Sequence, residues 1–124
     1  MSADYVSILL PSKNVEKYIG QCIDSVLAQT HRNYEFIIID DSDDNTPNII
    51  DSYSDERIQH IKLTGNVSWK LNYGISVAKF EYICRMDGYD IIVPEKIEKQ
   101  LNYIKLNTET DFNNCHSKLT RVFR

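Results

Sequence analysis

Hydrophobic residues along this chain form short blocks with two different periods, and the first kind of block predicts β-strands. Four runs rich in aliphatic and β-branched residues occur at residues 6–10, 34–39, 57–63 and 80–86. Residues 36–39 are apolar without interruption, a pattern typical of a strand that is buried on both faces of a parallel sheet.

Between these strands the apolar residues recur at helical spacing. In the first helix, predicted to be capped by Asn14 and to end near Thr30, one stripe contains Val15, Tyr18, Ile19, Cys22, Ile23, Val26 and Leu27. Thr46 and Pro47 predict the start of a second helix that runs to about residue 53.

A third helix is predicted at residues 67–78, after a turn at Gly65 and Asn66. Pro94 predicts the start of a fourth, whose stripe is Ile97, Leu101 and Ile104. A fifth strand is predicted at residues 111–115, whereas the basic tail at 118–124 has no evident partner. Residues 107–124 are therefore weakly defined within a single predicted domain spanning 1–124.

The alternation of strands and helices predicts an α/β fold, a mostly parallel sheet with helices on both faces. Polar clusters follow three of the strands, at residues 11–14, 40–45 and 87–90. Because the carboxyl ends of parallel strands meet at one edge, these clusters are expected to form a ligand site there.

Net charge and cysteine content limit the class of ligand and the cellular compartment that can be expected for this chain. The net charge of −4 argues against a nucleic-acid partner, and an acidic protein that binds a polyphosphate needs local positive charge or a metal. The 3 scattered cysteines indicate reduced thiols in a cytoplasmic or cytoplasm-facing domain. No signal peptide and no run of apolar residues able to span a bilayer is visible.

Several linked motifs resemble those of family 2 glycosyltransferases, which have the GT-A fold. They are the opening string VSILLPSKNVEKYIGQCIDSVLAQTHRNYEFIIIDDSDDNT and the later stretches LNYGISVAKFEYICRMDGYDI and PEKIEKQ. Ser25, Val26, Leu27, Gln29 and Thr30 match the helical signature of that family residue by residue. The resemblance extends to about residue 111 and implies a Rossmann-like, nucleotide-binding half of the GT-A fold.

The resemblance also implies a reaction: an acceptor hydroxyl attacks the anomeric carbon of a nucleotide-diphosphate sugar, and the nucleoside diphosphate leaves. A divalent cation, Mn²⁺ or Mg²⁺, held by an acidic motif would stabilise the leaving group. The implied donor-binding residues are Pro11, Lys13, Asn14, Asp40, Asp41, Asn72 and Asp87, with Gly74 on the same flanking helix as Asn72. The implied metal ligands are Asp87 and Asp90.

Three departures from the family pattern bear on activity. The usual Asp-Ala-Asp-Asp reads Asp87, Gly88, Tyr89, Asp90, so a phenol replaces the second motif aspartate and metal binding is expected to be weak or absent. Gly88 would ease a shift of the loop that lets Asp90 substitute. The turn after Asp41 is one residue shorter than the common form. The acceptor half, where the family places its catalytic base, is expected to be missing, so the base is unknown.

Other residues have structural interpretations beside the functional ones. Tyr18 and Cys22 are predicted to be core residues, and Trp69 a packing or interface residue rather than a base-stacking one. Asp43 and Asp44 are interpreted as solvated turn residues that favour the following helix dipole. Lys13 is equally compatible with a surface charge and with a diphosphate contact.

Three functions remain open at the level of sequence. The first is a glycosyltransferase of hexosyltransferase type, with a UDP-sugar as the default donor and an unknown glycan, lipid or protein acceptor. The second is an inactive, truncated remnant that at most binds nucleotide. The third is a receiver-type signalling domain, disfavoured because its acidic pair follows the first strand rather than the second. A homo-oligomer is a further expectation, since an uncovered apolar face favours self-association.

Overall fold

The computed structural model describes the backbone of residues 4–106, 112–115 and 118–123, and the side chains of residues 4–106. The described strands are β1 (Val6–Ser12), β2 (Tyr34–Asp40), β3 (Ile58–Lys62), β4 (Tyr82–Arg85), β5 (Phe112–Cys115) and β6 (Lys118–Phe123). The described helices are α1 (Ile19–Leu27), α2 (Thr46–Asp51), α3 (Val67–Val77) and α4 (Lys96–Leu106).

The strands form one sheet in the order β3-β2-β1-β4-β6-β5, and every pairing except that of β5 with β6 is parallel. The predicted α/β class is therefore confirmed, and β1 lies between β2 and β4. The order also excludes the receiver-type alternative, since in that fold β1 lies between β2 and β3.

The C-terminal strands were only half predicted. The fifth strand is present at Phe112–Cys115, while position 111 lies outside the described residues. The basic tail does have a partner, because Lys118–Phe123 pairs in parallel with β4. This pairing is hard to predict from the sequence, because it joins residues 39 positions apart, such as Tyr82 and Arg121, and depends on the edge that β4 presents.

Alternation along the strands divides the core between the two faces of the sheet. On one face, Val6, Ile8, Leu10, Phe36 and Ile38 pack with buried residues of α1, α2 and α4. On the opposite face, Leu9, Ile37, Ile39 and Ile83 pack with Ile75 of α3. Burying a side chain of this size stabilises the fold by about 1.5–3 kcal/mol.

The first helix begins later than predicted. Asn14 has a positive φ of 53° and is not its N-cap; α1 starts at Ile19, after a turn in which Tyr18 and Ile19 donate to the Val15 carbonyl. Tyr18 precedes the buried stripe and is 51% exposed, so its assignment to the core was wrong. Cys22 is fully buried, as predicted.

Candidate functional site

The three polar clusters meet at the carboxyl edge of the sheet, on strands that are direct neighbours. Ser12 at the end of β1 is in register with Asp40 at the end of β2, and Met86 donates to the Leu9 carbonyl from the other side. The predicted convergence of residues 11–14, 40–45 and 87–90 on one edge is therefore present in the structure.

Asp40 is an interior residue of this edge, only 1% exposed. One carboxylate oxygen accepts from the hydroxyls of Ser12 and Ser42, both at 2.6 Å, and the other accepts from the Ser42 amide at 3.1 Å. These hydrogen bonds offset the cost of burying the charge. They also hold the end of β1 against the loop that follows β2.

Asp41 forms a buried ion pair that the sequence analysis missed. The Lys70 ammonium, on a side chain 4% exposed, lies 2.5 Å from Asp41 Oδ1 and 2.9 Å from the Ser12 carbonyl oxygen. The hydrogen bond from Lys70 lowers the pKa of Asp41, although burial acts to raise it. Gly65 also donates to Asp41, at 3.3 Å. Lys70 thus joins the ends of β1 and β2 to α3.

A signal for Lys70 was present in the helix pattern. Lys70 precedes Gly74 by four residues, so both lie on one face of α3, and both are buried. A lysine on the inward face of a helix requires a nearby carboxylate. The preceding strand ends supply several, although the pattern alone does not say which one pairs.

Asn14 ties the loop after β1 to the loop after β2. Its backbone N–H donates to Ser42 Oγ at 2.7 Å, and its side-chain oxygen accepts from the backbone N–H groups of Asp43 and Asp44 at 2.8 and 3.3 Å. This arrangement is the physical reason for its left-handed backbone, which asparagine tolerates well. Pro11 is buried within β1, and Lys13 is exposed at the rim.

A cavity of about 240 Å³ opens beside the acidic pair. Its lining residues are Asp40, Asp41, Ser42, Pro47, Lys62, Leu63 and Thr64. Walls that combine carboxylates with apolar and hydroxyl groups suit a flat polar ligand. Because Lys70 and the serines hold the two carboxylates, the cavity wall is organised before any ligand binds.

The loop after β4 is built differently. Asp90 accepts from the amide of Asp87 at 2.9 Å through Oδ2, and Asp87 Oδ1 lies 3.7 Å from the Arg85 guanidinium. Tyr89 projects outward and is 61% exposed. The Cys22 thiol donates to the Asp87 carbonyl at 3.6 Å, and burial followed by the charges of Asp90 and Asp87 raises its pKa to about 12.

Gly88 is buried against the segment that follows β1. A Cβ at this position would lie 2.8 Å from Val15 Cγ2, closer than side chains normally approach. The glycine here permits close packing of the loop on Val15. The hypothesis that Gly88 eases a shift of the loop remains a prediction.

The end of the helical signature at residues 25–30 supports this loop through hydrogen bonds. Gln29, 1% exposed, donates to the Val93 carbonyl at 2.7 Å and accepts from the Ile97 amide at 3.0 Å. Thr30 donates its amide to the Pro94 carbonyl at 2.8 Å. These contacts join the end of α1 to the start of α4, and thereby fix the far end of the loop at residues 87–93.

The family resemblance places Gly74 and Asn72 on the flanking helix α3, and the structure buries the first and exposes the second. Gly74 permits close packing on the sheet, since a Cβ there would lie 3.0 Å from Ile39 and 3.1 Å from Leu9. Asn72 is exposed and lines a shallow 200 Å³ depression with Trp69, Tyr73 and Ser76. Trp69 is 58% exposed, so it does not pack into the core of this chain.

Neither a metal cluster nor a membrane-spanning helix is present among the described residues. Within residues 4–106, where side chains are described, no group of three or more His, Cys, Asp or Glu side chains could hold a metal ion. In the described part of the chain, no helix has the length and apolar character needed to cross a membrane.

Comparison with known proteins agrees with this geometry. The sequence profile of Glycosyl transferase family 2 matches residues 7–112. An uncharacterised glycosyltransferase of Rickettsia typhi is 41% identical over 100 residues, covering 80% of this chain and 31% of that protein. Glycosyltransferase GlyG of Streptococcus pneumoniae is 38% identical over 101 residues, covering 77% and 34%. The chain spans about a third of the length of these relatives.

Solved structures share the fold at low sequence identity. Residues 1–349 of S. aureus TarS, in complex with UDP-GlcNAc, match with a TM-score of 0.76 and 24% identity, covering 87% of this chain and 33% of that one. The mannosyltransferase PcManGT of Pyrobaculum calidifontis, in complex with GDP-Man and Mn²⁺, matches with a TM-score of 0.73 and 17% identity, covering 80% and 32%.

Proposed function

Because the chain belongs to glycosyl transferase family 2, we propose that it is the donor-binding part of an enzyme that transfers a sugar from a nucleotide-diphosphate sugar to an acceptor hydroxyl. The proposal covers a hexosyl donor, with a UDP-sugar as the default. The structural relatives support this class of donor, since TarS was solved with UDP-GlcNAc and PcManGT with GDP-Man.

The observation that carries the proposal is the organised cavity at the ends of β1 and β2. Asp40 and Asp41 line it with carboxylates whose positions are set by Ser12, Ser42 and Lys70. Carboxylate oxygens accept hydrogen bonds, so they select the N–H groups of a base and the hydroxyls of a ribose. Pro11, Lys13, Asn14 and Asp87 surround the same edge, and we assign the nucleotide to this place.

The chemistry proposed for the complete enzyme is substitution at the anomeric carbon. The acceptor oxygen forms a bond to that carbon while the bond to the diphosphate oxygen breaks, and a base takes the proton of the acceptor hydroxyl. The role of the described residues is to bind and orient the donor, which lowers the entropic part of the barrier. No general base is assigned among them.

Asp87 and Asp90, the ligands that the family pattern implies, do not fit a divalent cation in the part of the chain that the structure describes. Tyr89 presents an exposed phenol where a carboxylate is usual, and Asp90 is engaged by the Asp87 amide. Mg²⁺ and Mn²⁺ need several oxygen ligands in close to octahedral geometry, so two carboxylates used in this way make a poor site. No step of the proposed reaction is routed through a metal.

A second candidate function is nucleotide binding without transfer. The specific observation that favours it is Tyr89, because loss of the motif aspartate removes a ligand for the leaving group's counter-ion. Both candidates require the same nucleotide pocket. They differ in turnover, so release of nucleoside diphosphate from a donor sugar distinguishes them.

Calorimetric titration of the chain with UDP, GDP, CDP and dTDP, each with and without Mn²⁺, tests the proposal. We expect one diphosphate to bind in preference to the others. Asp41→Asn should weaken that binding, whereas Asp51→Asn, an exposed carboxylate on α2, should not. Absence of binding by every diphosphate would contradict both candidate functions.

A further inference from the structure

The carboxyl edge of the sheet is strongly acidic for a site that receives a diphosphate. Its three loops carry Asp40, Asp41, Asp43, Asp44, Asp87 and Asp90. Two phosphate groups placed among these side chains are repelled unless a positive charge lies close to them. Since Asp87 and Asp90 do not form a good cation site, the side-chain cations at this edge are the candidates among the described residues.

Cations at or beside this edge include Lys70, Lys62, Lys13 and Arg85, and the first three are poorly placed. Lys70 is buried and committed to Asp41 and the Ser12 carbonyl. Lys62 is exposed and lines the cavity from the β3 side, beside the proposed base position. Lys13 is exposed at the rim, where solvent and salt weaken its field. The fourth is Arg85.

Arg85 is the last residue of β4 and stands next to the altered motif. Its guanidinium is 3.7 Å from Asp87 Oδ1, outside hydrogen-bonding distance, and its side chain is 34% exposed. Its Nε is buried and has no hydrogen-bond partner among the described residues. A half-buried guanidinium with an unused donor is suited to an anion, because its planar fork binds two oxygens at once.

We propose that Arg85 binds the diphosphate of the donor in place of a divalent cation, so that nucleotide binding by this chain does not depend on metal. This inference rests on the proposed function, because it concerns the same donor site. It explains how the chain tolerates Tyr89: the positive charge opposite the diphosphate is permanent and is supplied by β4. Arginine keeps this charge at every physiological pH.

The test compares diphosphate with nucleoside binding by calorimetry, using Arg85→Gln, Arg85→Lys and a control, Lys99→Gln. Lys99 is exposed on α4, away from the edge, and its replacement changes the net charge by the same amount. We expect the wild-type chain to bind its preferred diphosphate equally well in EDTA and in Mn²⁺. Arg85→Gln should weaken that binding about tenfold and leave nucleoside binding unchanged, with Arg85→Lys intermediate. Circular dichroism checks that each variant is folded.

The outcomes separate this inference from the function on which it rests. Diphosphate binding that EDTA abolishes, or that Arg85→Gln and Lys99→Gln affect equally, overturns the role of Arg85 and leaves the donor site standing. If the wild-type chain binds neither nucleoside nor diphosphate, the donor site and the role of Arg85 both fail. Should Arg85→Gln unfold the chain, the charge-preserving Arg85→Lys and the metal dependence of the wild type still decide the matter.

Discussion

The loops after β2 and β4 both present a pair of aspartates to the same edge, but the structure holds them in different ways. Asp40 and Asp41 are bound by two serine hydroxyls, a buried lysine and backbone amides. Asp90 accepts a hydrogen bond from the Asp87 amide, Arg85 lies 3.7 Å from Asp87, and the tyrosine between the two aspartates is exposed. The first pair is a rigid part of the fold, whereas the second is an altered motif on a well-supported loop.

The β4 loop is well supported although its motif departs from the family pattern. Gln29 and Thr30 anchor the far end of the loop, and Gly88 packs against Val15. At the outward-facing position 89, a tyrosine stands where the family pattern has a carboxylate. Substitutions of Lys70 near β2 and of Tyr89 near β4 are therefore expected to have different consequences: loss of stability for the first, and a change in ligand chemistry for the second.

The largest effect is expected from Lys70→Met. Removing the lysine leaves Asp41, whose side chain is 9% exposed, without its cation, and should lower the free energy of unfolding by about 3 kcal/mol. Urea unfolding measures it. Lys99→Met, on the exposed face of α4, should change stability by less than about 0.5 kcal/mol. Equal stability of the two variants would show that the pair is not a structural element.

The same ion pair predicts a pH dependence. The hydrogen bond from Lys70 lowers the pKa of Asp41 in the folded state. The ion pair therefore contributes fully to stability above the unfolded-state pKa of Asp41, and this contribution is lost as the pH falls through the folded-state pKa. The stability difference between the wild type and Lys70→Met should therefore be greatest near neutral pH and shrink in acid. Unfolding curves at pH 7 and near pH 2 check this. A difference that stays constant would assign the effect to packing.

A smaller loss is expected from Gly88→Ala in the β4 loop. The added Cβ would meet Val15 at 2.8 Å, and overpacking of this kind costs about 1–2 kcal/mol. Combining it with Val15→Ala should relieve the clash, so the double variant loses less than the sum of the single losses. Gly20→Ala is the control, because its Cβ would meet only Tyr53 Oη at 3.8 Å. Additive losses would contradict the contact.

The smallest effect on stability, but a qualitative change in chemistry, is expected from Tyr89→Asp. Since Tyr89 is 61% exposed, its replacement should alter the free energy of unfolding by less than about 0.5 kcal/mol. The added carboxylate should allow Mn²⁺ to strengthen the binding of the preferred diphosphate, measured by calorimetry. Tyr89→Asn removes the phenol without adding a charge and should not do so. If both variants behave alike, position 89 is not what limits metal binding.

Much of the fold was predictable because the relevant interactions are local. The stripe at Ile97, Leu101 and Ile104 was predicted and is buried, and the apolar run at residues 36–39 is buried on both faces of the sheet. The polar clusters were assigned to one edge from strand direction alone. Tyr18 was wrongly assigned to the core because the start of α1 depends on the hydrogen bonds between Asn14 and the loop after β2.

The sequence by itself determined the alternation of strands and helices, the family, and the residue types available at the site, since hydrophobic period and motif spacing are properties of the chain. Tertiary structure alone decided which carboxylate receives Lys70 and that β6 pairs with β4 in the sheet. Those facts depend on distances between segments that are remote along the chain. Such distances are set by packing of the whole domain, which no local pattern encodes.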